Sequence, residues 1–235
     1  MSNQYNVNLL ALDTSTEYLS LALLKGDETF TFDINAGQTH SQIILPKIQA
    51  LFDQAGLQLK DLHGIAFGAG PGSFTGVRIA SGVAQGLGYG ANLPVVGICT
   101  LLALAKASAA ERVIACLDAR MGEVYHAVYE KVLGDWQTVI EPGLHKPMSV
   151  PSIQGVDWTG AGSGWQAYHE QLSAVYAAQL IATQPQLLPT ATAILKLAQP
   201  VFARGDAKPA SEAMPIYIRN RVALKTLERE QGQRL

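Results

Sequence analysis

The first 35 residues are built from short apolar runs separated by turn chemistry. Leu9–Leu12 is closed by Asp13, and Thr14-Ser15-Thr16 separates it from the run Tyr18–Leu24. Lys25-Gly26-Asp27 turns the chain again, and Glu28–Asn35 sets Phe30, Phe32 and Ile34 against Thr29, Thr31 and Asp33. That period of two predicts a half-exposed strand, and the three runs together predict an antiparallel meander. The period then changes. Ile44, Ile48, Leu51 and Ala55 fall on one face of a helix over Ser41–Ala55, with Gly56 as its stop. Pro46 conflicts with an uninterrupted helix and requires either a start nearer Leu45 or a kink. A strand at Gly64–Phe67, a glycine-rich loop at Gly68–Gly76 and a helix over Thr75–Tyr89 follow. Val95–Ile98 predicts a further strand and Thr100–Ala110 a further helix. The order β-β-β-α-β-α-β-α is that of a mixed α/β fold whose sheet is covered by helices.

The second half restarts this order. Val113–Leu117 ends in Leu117-Asp118 as Leu9–Leu12 ends in Leu12-Asp13, and Val124–Tyr129 and Trp136–Ile140 take the places of the second and third strands. Gly160-Ala161-Gly162-Ser163-Gly164 echoes Gly68-Ala69-Gly70-Pro71-Gly72. A repeat of about 105 residues with one element order predicts duplicated domains. We expect domains at 1–110 and 111–218 and a polar tail at 219–235. Six prolines from Pro142 to Pro200 make the second domain the less regular one, with Thr190–Phe202 as its best helix and Pro215–Arg219 as a short extended segment.

Composition narrows the class. Of 235 residues, 48% are hydrophobic and only 15% charged, which excludes a disordered chain. The net charge of −2 excludes a generally basic nucleic-acid coat. No apolar run approaches the ~20 residues of a bilayer helix, and the MSNQYNVN start lacks a secretory signal. Cys99 and Cys116, without CxxC spacing, suit a reducing compartment. These features together predict a cytoplasmic protein. The local exception in charge is the stretch 204–235, where seven Lys and Arg face four acids for a net of +3. It could touch RNA phosphates or be a solvated tail.

Several constellations bear chemistry, each with a structural alternative. A strand followed by Gly68, Gly70, Gly72, Gly76 and a helix start could cradle a phosphate, but the Walker lysine is absent. The alternative is a tight turn with Ser73 or Thr75 capping the helix. Asp13 and Asp118, ending the first strand of each half, could face one another and hold Mg²⁺ or activate water, or could each cap a turn. With Gly70, Gly72, Ser73 and Gly162, Asp13 makes up the candidate nucleotide site. Gly76, Ala80, Ala84 and Gly88 form a ridge of small residues that admits close approach, either of the chain's own sheet or of a helix from another subunit. Gly82 and Gly86 lie inside the same helix and need compensation for their cost. None of the five histidines has a second histidine four residues on, HExxH is absent and no nucleophile elbow occurs, so no metal site and no cofactor is expected.

LALDTSTEYLSLALL, THSQIILPKI, GIAFGAGPGSFTGVRIASGVAQGLG, PVVGICTLLALA and LDARMGEVYHAVYE together resemble the TsaB (YeaZ) family over about Leu9–Tyr129, and PIYIR resumes the likeness near the C-terminus. The resemblance implies two tandem ribonuclease H-like domains of the actin and sugar-kinase (ASKHA) superfamily. It implies a non-catalytic subunit in making threonylcarbamoyladenosine beside the tRNA anticodon. Its partners would be the catalytic paralogue TsaD and the ATPase TsaE, with tRNA only as substrate of the complex and a homodimer in isolation. The catalytic relative carries a metal-binding HxxxH on the helix matching Ser41–Ala55; here His40 is kept and Ile44 stands at the second position. The implied docking helices make His40, Ile44, Ile48, Gly76, Ala80, Ala84 and Gly88 the candidate partner interface. The competing enzymatic reading is an ATP-dependent small-molecule kinase of the same superfamily.

Overall fold

Each half of the chain builds one five-stranded sheet in the computed structural model, which describes residues 7–218. In the first, β1 (Asn8–Asp13), β2 (Tyr18–Lys25) and β3 (Glu28–Asn35) form the antiparallel meander, and β4 (Gly64–Gly70) and β5 (Val95–Cys99) add parallel strands in the order β3-β2-β1-β4-β5. In the second, β6 (Arg112–Asp118), β7 (Val124–Val132) and β8 (Asp135–His145) make the meander, and β9 (Trp158–Ala161) and β10 (Leu180–Gln184) run parallel to β6. The second order, β10-β9-β6-β7-β8, is the first reversed in listing and identical in topology. This is the duplicated ribonuclease H-like arrangement, with Asp13 and Asp118 at matching strand ends.

The central strands are apolar on both faces, and side-chain size distinguishes the faces. Leu10, Leu12, Leu21, Leu23, Ile65 and Phe67 lie under α1 (His40–Ala55) and α2 (Phe74–Ala91). The opposite face presents Leu9, Ala11, Ala22 and Ala66 to Ala191, Ile194, Leu195 and Ala198 of α6 (Ala191–Arg204). Small residues on both partners let that helix lie close to the sheet. In the second sheet Ala115, Leu117, Ala127 and Ala161 meet Leu101, Leu104 and Ala105 of α3 (Thr100–Ala107). Its other face packs Ile114, Cys116 and Val128 on Trp165 of α4 (Ser163–Ala167) and Leu172 and Tyr176 of α5 (His169–Tyr176).

The covering helices are therefore exchanged. α3, from the first half, covers the second sheet, and α6, from the second half, covers the first, with Ala191 N donating to Ser20 Oγ at 2.7 Å. Beyond α6, Lys208 bridges to Val95, Ala210 and Ala213 join the first core, and Ile216 N donates to Ala69 O at 2.7 Å. The segment expected to complete a second domain to residue 218 thus packs on the first sheet. The tail expected at 219–235 lies outside the described residues.

Three local expectations change. α1 starts at His40 and carries Pro46 in its interior, so the proline neither opens the helix nor lies in its first turn. β4 runs on through Gly68 to Gly70, leaving Pro71-Gly72-Ser73 as the connection to α2. α3 stops at Ala107, earlier than the apolar run suggested.

Candidate functional site

The small-residue ridge faces inward. Gly76, Ala80, Ala84 and Gly88 are all buried, and Ala80 and Ala84 sit in the core beneath α2. A Cβ on Gly76 would collide with Thr14 O, and one on Gly88 would press on Ala210 Cβ. His40, Ile44 and Ile48 likewise form the buried face of α1. Ile44, Ile48, Ala80 and Ala84 therefore hold the two helices on their own sheet, Gly76 and Gly88 admit the close approach of Thr14 and Ala210, and His40 is buried where α1 meets the cleft. The reason is geometric: α2 begins beside the turn after β1, and Thr14 Oγ1 donates to Gly76 O at 2.7 Å while Ser73 N donates to Ser15 O at 2.7 Å.

The outward face of the same helix carries a second stripe at the same spacing. Gly82, Gly86 and Gly90 are exposed, and a Cβ added to any of them meets nothing within 4 Å. They form a trough between the half-buried row Ile79, Val83, Leu87 and the pair Gln85 and Tyr89. Tyr89 is 64% exposed, and Leu45 on the outward side of α1 is 52% exposed. Among the described residues, nothing fills the space these missing side chains leave. Sequence reasoning registered the cost of Gly82 and Gly86 but assigned contact to the neighbouring ridge, because both stripes repeat every four residues.

The two lobes enclose a cleft of about 1250 Å³. Its walls are the turn after β1 with Ser15 and Thr16, the start of α2 with Gly72 and Ser73, and Asp118, Arg120 and Ser163 of the second lobe. Of the five candidate nucleotide contacts, only Gly72 and Ser73 reach it. Ser73 Oγ accepts from Gly76 N at 3.3 Å, so it caps the helix. Gly70 lies under the segment at Ile216, and Gly162, at φ 103°, leaves no room for a Cβ against Cys116 O.

The two aspartates do not form a facing pair. Asp13 is 1% exposed, and its Oδ2 sits over Gly68 beside Ile194 without a hydrogen-bond partner among the described residues. Its Oδ1 accepts from Ser15 N at 3.0 Å and Ser15 Oγ at 2.8 Å, which is the turn-capping role. Burial pushes its carboxyl up to about 6, against the lowering effect of the Ser15 bonds. Asp118 lines the cleft, but its Oδ1 accepts from Arg120 N at 2.9 Å and from the Tyr168 hydroxyl at 3.3 Å. It thereby holds a turn in which Arg120, Met121 and Gly122 are all left-handed, with φ of 61°, 57° and 75°. His40 also lines the cleft, with its Nε2 buried and without a hydrogen-bond partner among the described residues. Ile44, one turn on, is committed to the core. Among the described residues no group of three or more His, Cys, Asp or Glu side chains is placed to share an ion, and no helix is long and apolar enough to cross a membrane.

A family model described as TsaD, tRNA N6-adenosine threonylcarbamoyltransferase, matches residues 34–224. A Haemophilus influenzae protein named tRNA threonylcarbamoyladenosine biosynthesis protein TsaB is 41% identical, the match covering 94% of this chain and 98% of that one. The Escherichia coli protein of the same name is 39% identical over the same shares. The solved structure of YeaZ from Pseudomonas aeruginosa superposes with a TM-score of 0.84 at 40% identity, covering 90% of this chain and 99% of that chain. Agreement over nearly the whole length, in sequence and in the duplicated topology, shows that this chain belongs to the TsaB (YeaZ) family.

Proposed function

We propose that this protein is a non-catalytic, activating subunit for threonylcarbamoyladenosine formation in tRNA, working in the cytoplasm. Its catalytic partner is a TsaD-type paralogue, and the ATPase TsaE completes the assembly. The relatives' names supply the pathway. The observation that carries the docking role is the outward stripe Gly82, Gly86, Gly90, which is open to an approaching helix and touched by none of the described residues. Each such glycine costs its helix roughly 0.5–1 kcal/mol relative to alanine, a cost that close contact with a partner offsets. Ile79, Val83 and Tyr89 of the same helix flank the stripe with apolar surface. Docking there favours the partner's competent conformation, because binding free energy shifts a two-state equilibrium only as far as the two states bind differently. When the paralogue is absent, the same face pairs with a second copy of this chain.

The test is reconstitution from purified partners, tRNA, ATP, threonine and bicarbonate. Product must depend on this chain; equal yield without it overturns the reading. Phosphoryl transfer from ATP by this chain alone would instead support the small-molecule kinase.

A further inference from the structure

We infer that the free edge of β3 is a docking site for an extended, basic segment of a partner protein, which adds to the first sheet as a further strand. The site is distinct from the α2 trough, because α1 covers β2 and β3 while α2 lies beyond it over β4. The two-residue turn Gly26-Asp27 joins β2 to β3, so Lys25 and Glu28 form a hydrogen-bonded pair. Alternation from that pair sends the N–H and C=O groups of Phe30, Phe32 and Ile34 to β2 and those of Thr29, Thr31, Asp33 and Asn35 outward. These four residues are exposed, and among the described residues no strand pairs with them. The other three sheet edges are spoiled. β5 is closed at its start by Lys208, whose N–H donates to Val95 O at 2.9 Å and whose C=O accepts from Val95 N at 2.7 Å. β8 slips register on both sides of Val128 and contains Pro142, and the short β10 has a register shift of its own. β3 keeps one register with β2 along its whole length and contains no proline, glycine or lysine. An edge left whole in this way is a template for another strand.

Charge selects the occupant. Between Lys25 and Lys47 the chain carries Asp27, Glu28 and Asp33 and no lysine or arginine. Lys25 Nζ donates to Ala55 O at 2.7 Å, and Lys47 lies over the Phe32 ring at 4.8 Å, so both neighbouring cations are held on the side of α1. A second copy of β3 would bring the same acids to an edge that already repels them. A strand carrying lysine or arginine is attracted instead. The pleat sets the order of its residues. Phe30 and Phe32 pack toward α1, and Ile34, on the same face, is 40% exposed. Thr29, Thr31 and Asp33 stand on the opposite face. The added strand therefore alternates apolar residues beside Phe32 and Ile34 with basic residues beside Asp33.

The experiment is fluorescence anisotropy of the full chain with a fluorescein-labelled peptide, as long as β3, that alternates valine with lysine. We expect saturable binding, roughly tenfold weaker when glutamate replaces lysine in the peptide. N-methylation of consecutive residues in the middle of the peptide blocks both of its edges and keeps its charge, and should also weaken binding roughly tenfold. Thr31→Pro removes one outward donor and no bond to β2, a place where a strand accepts proline, and should weaken binding by about the same factor with an unchanged far-UV spectrum. Glu28→Lys combined with Asp33→Lys should weaken it about threefold to tenfold and raise the affinity for the glutamate peptide. No binding of the valine–lysine peptide, equal binding of its glutamate or N-methylated form, or unchanged binding in both Thr31→Pro and the charge-reversed chain overturns the inference. So does self-association of the parent, read by light scattering, that is lost in Thr31→Pro, because the edge would then belong to a second copy. The readout uses neither a TsaD-type partner nor tRNA, so its failure and that of the proposed function are separable.

Discussion

Replacing both Gly82 and Gly86 with alanine separates docking from folding, because the two effects have opposite signs. Neither new methyl meets a neighbour within 4 Å among the described residues, so the helix gains its propensity difference without a clash. At about 0.5–1 kcal/mol for each position, the double variant is stabilised by about 1–2 kcal/mol. For a protein of this size that raises Tm by about 2–8 °C. Two methyls in a close helix–helix contact act the other way, costing about 1–3 kcal/mol of association, or roughly 5- to 150-fold in affinity. Differential scanning calorimetry reads the first effect. Sizing with light scattering, alone and with the TsaD-type partner, reads the second. A lowered Tm would mean that the trough is filled from within the chain, and a raised Tm with undiminished association would place docking elsewhere. Either result refutes the reasoning.

Gly76→Ala, in the same helix, should do the reverse of Gly82→Ala: its Cβ collides with Thr14 O, so a loss of about 1–3 kcal/mol in calorimetry is expected. His126 is fully buried, and Tyr176 donates to Pro151 O, so His126 Nε2 must donate to the Tyr176 oxygen, leaving Nδ1 unpartnered. Burial first, then the His145 charge, lowers its pKa to about 3 from an ordinary 6.5. A folded pKa below the unfolded one gives stability that is complete above pH 6.5 and fades below it, by about 2 kcal/mol at pH 5. Thermal melts should show that acid loss reduced in His126→Phe; an identical slope would contradict it. Asp13 works in the opposite sense, since its folded pKa of about 6 lies above 3.8 and its stabilisation is complete below pH 3.8 and lost as pH rises through 6. Asp13→Asn should remove a gain of about 1 kcal/mol between pH 7 and pH 5, so its melting temperature falls more steeply with acid than the parent's.

The meander, the duplication and the paired aspartate turns were legible in the sequence because period-two alternation and turn residues act locally. Of the two readings Pro46 left open, the later start is excluded, because packing of Ile44, Ile48 and Leu51 on the sheet holds α1 through its proline. The two stripes of α2 show a different limit. Gly76, Ala80, Ala84, Gly88 and Gly82, Gly86, Gly90 share one spacing, and only the position of Thr14 and Ala210 decides which stripe is inside. The destination of α6 was likewise hidden. Its apolar face fits either sheet by pattern, and what selects the first is the row Ala11, Ala22, Ala66, whose small size was readable while its pairing was not.

The exchange of α3 and α6 makes the repeat boundary a poor place to divide this protein. A fragment ending near residue 110 would show water the bare face Leu9, Ala11, Ala22 and Ala66, and the remainder would do the same with Ala115, Leu117 and Ala127. Each piece alone is a candidate for aggregation, and mixing the two from denaturant is the way to recover both.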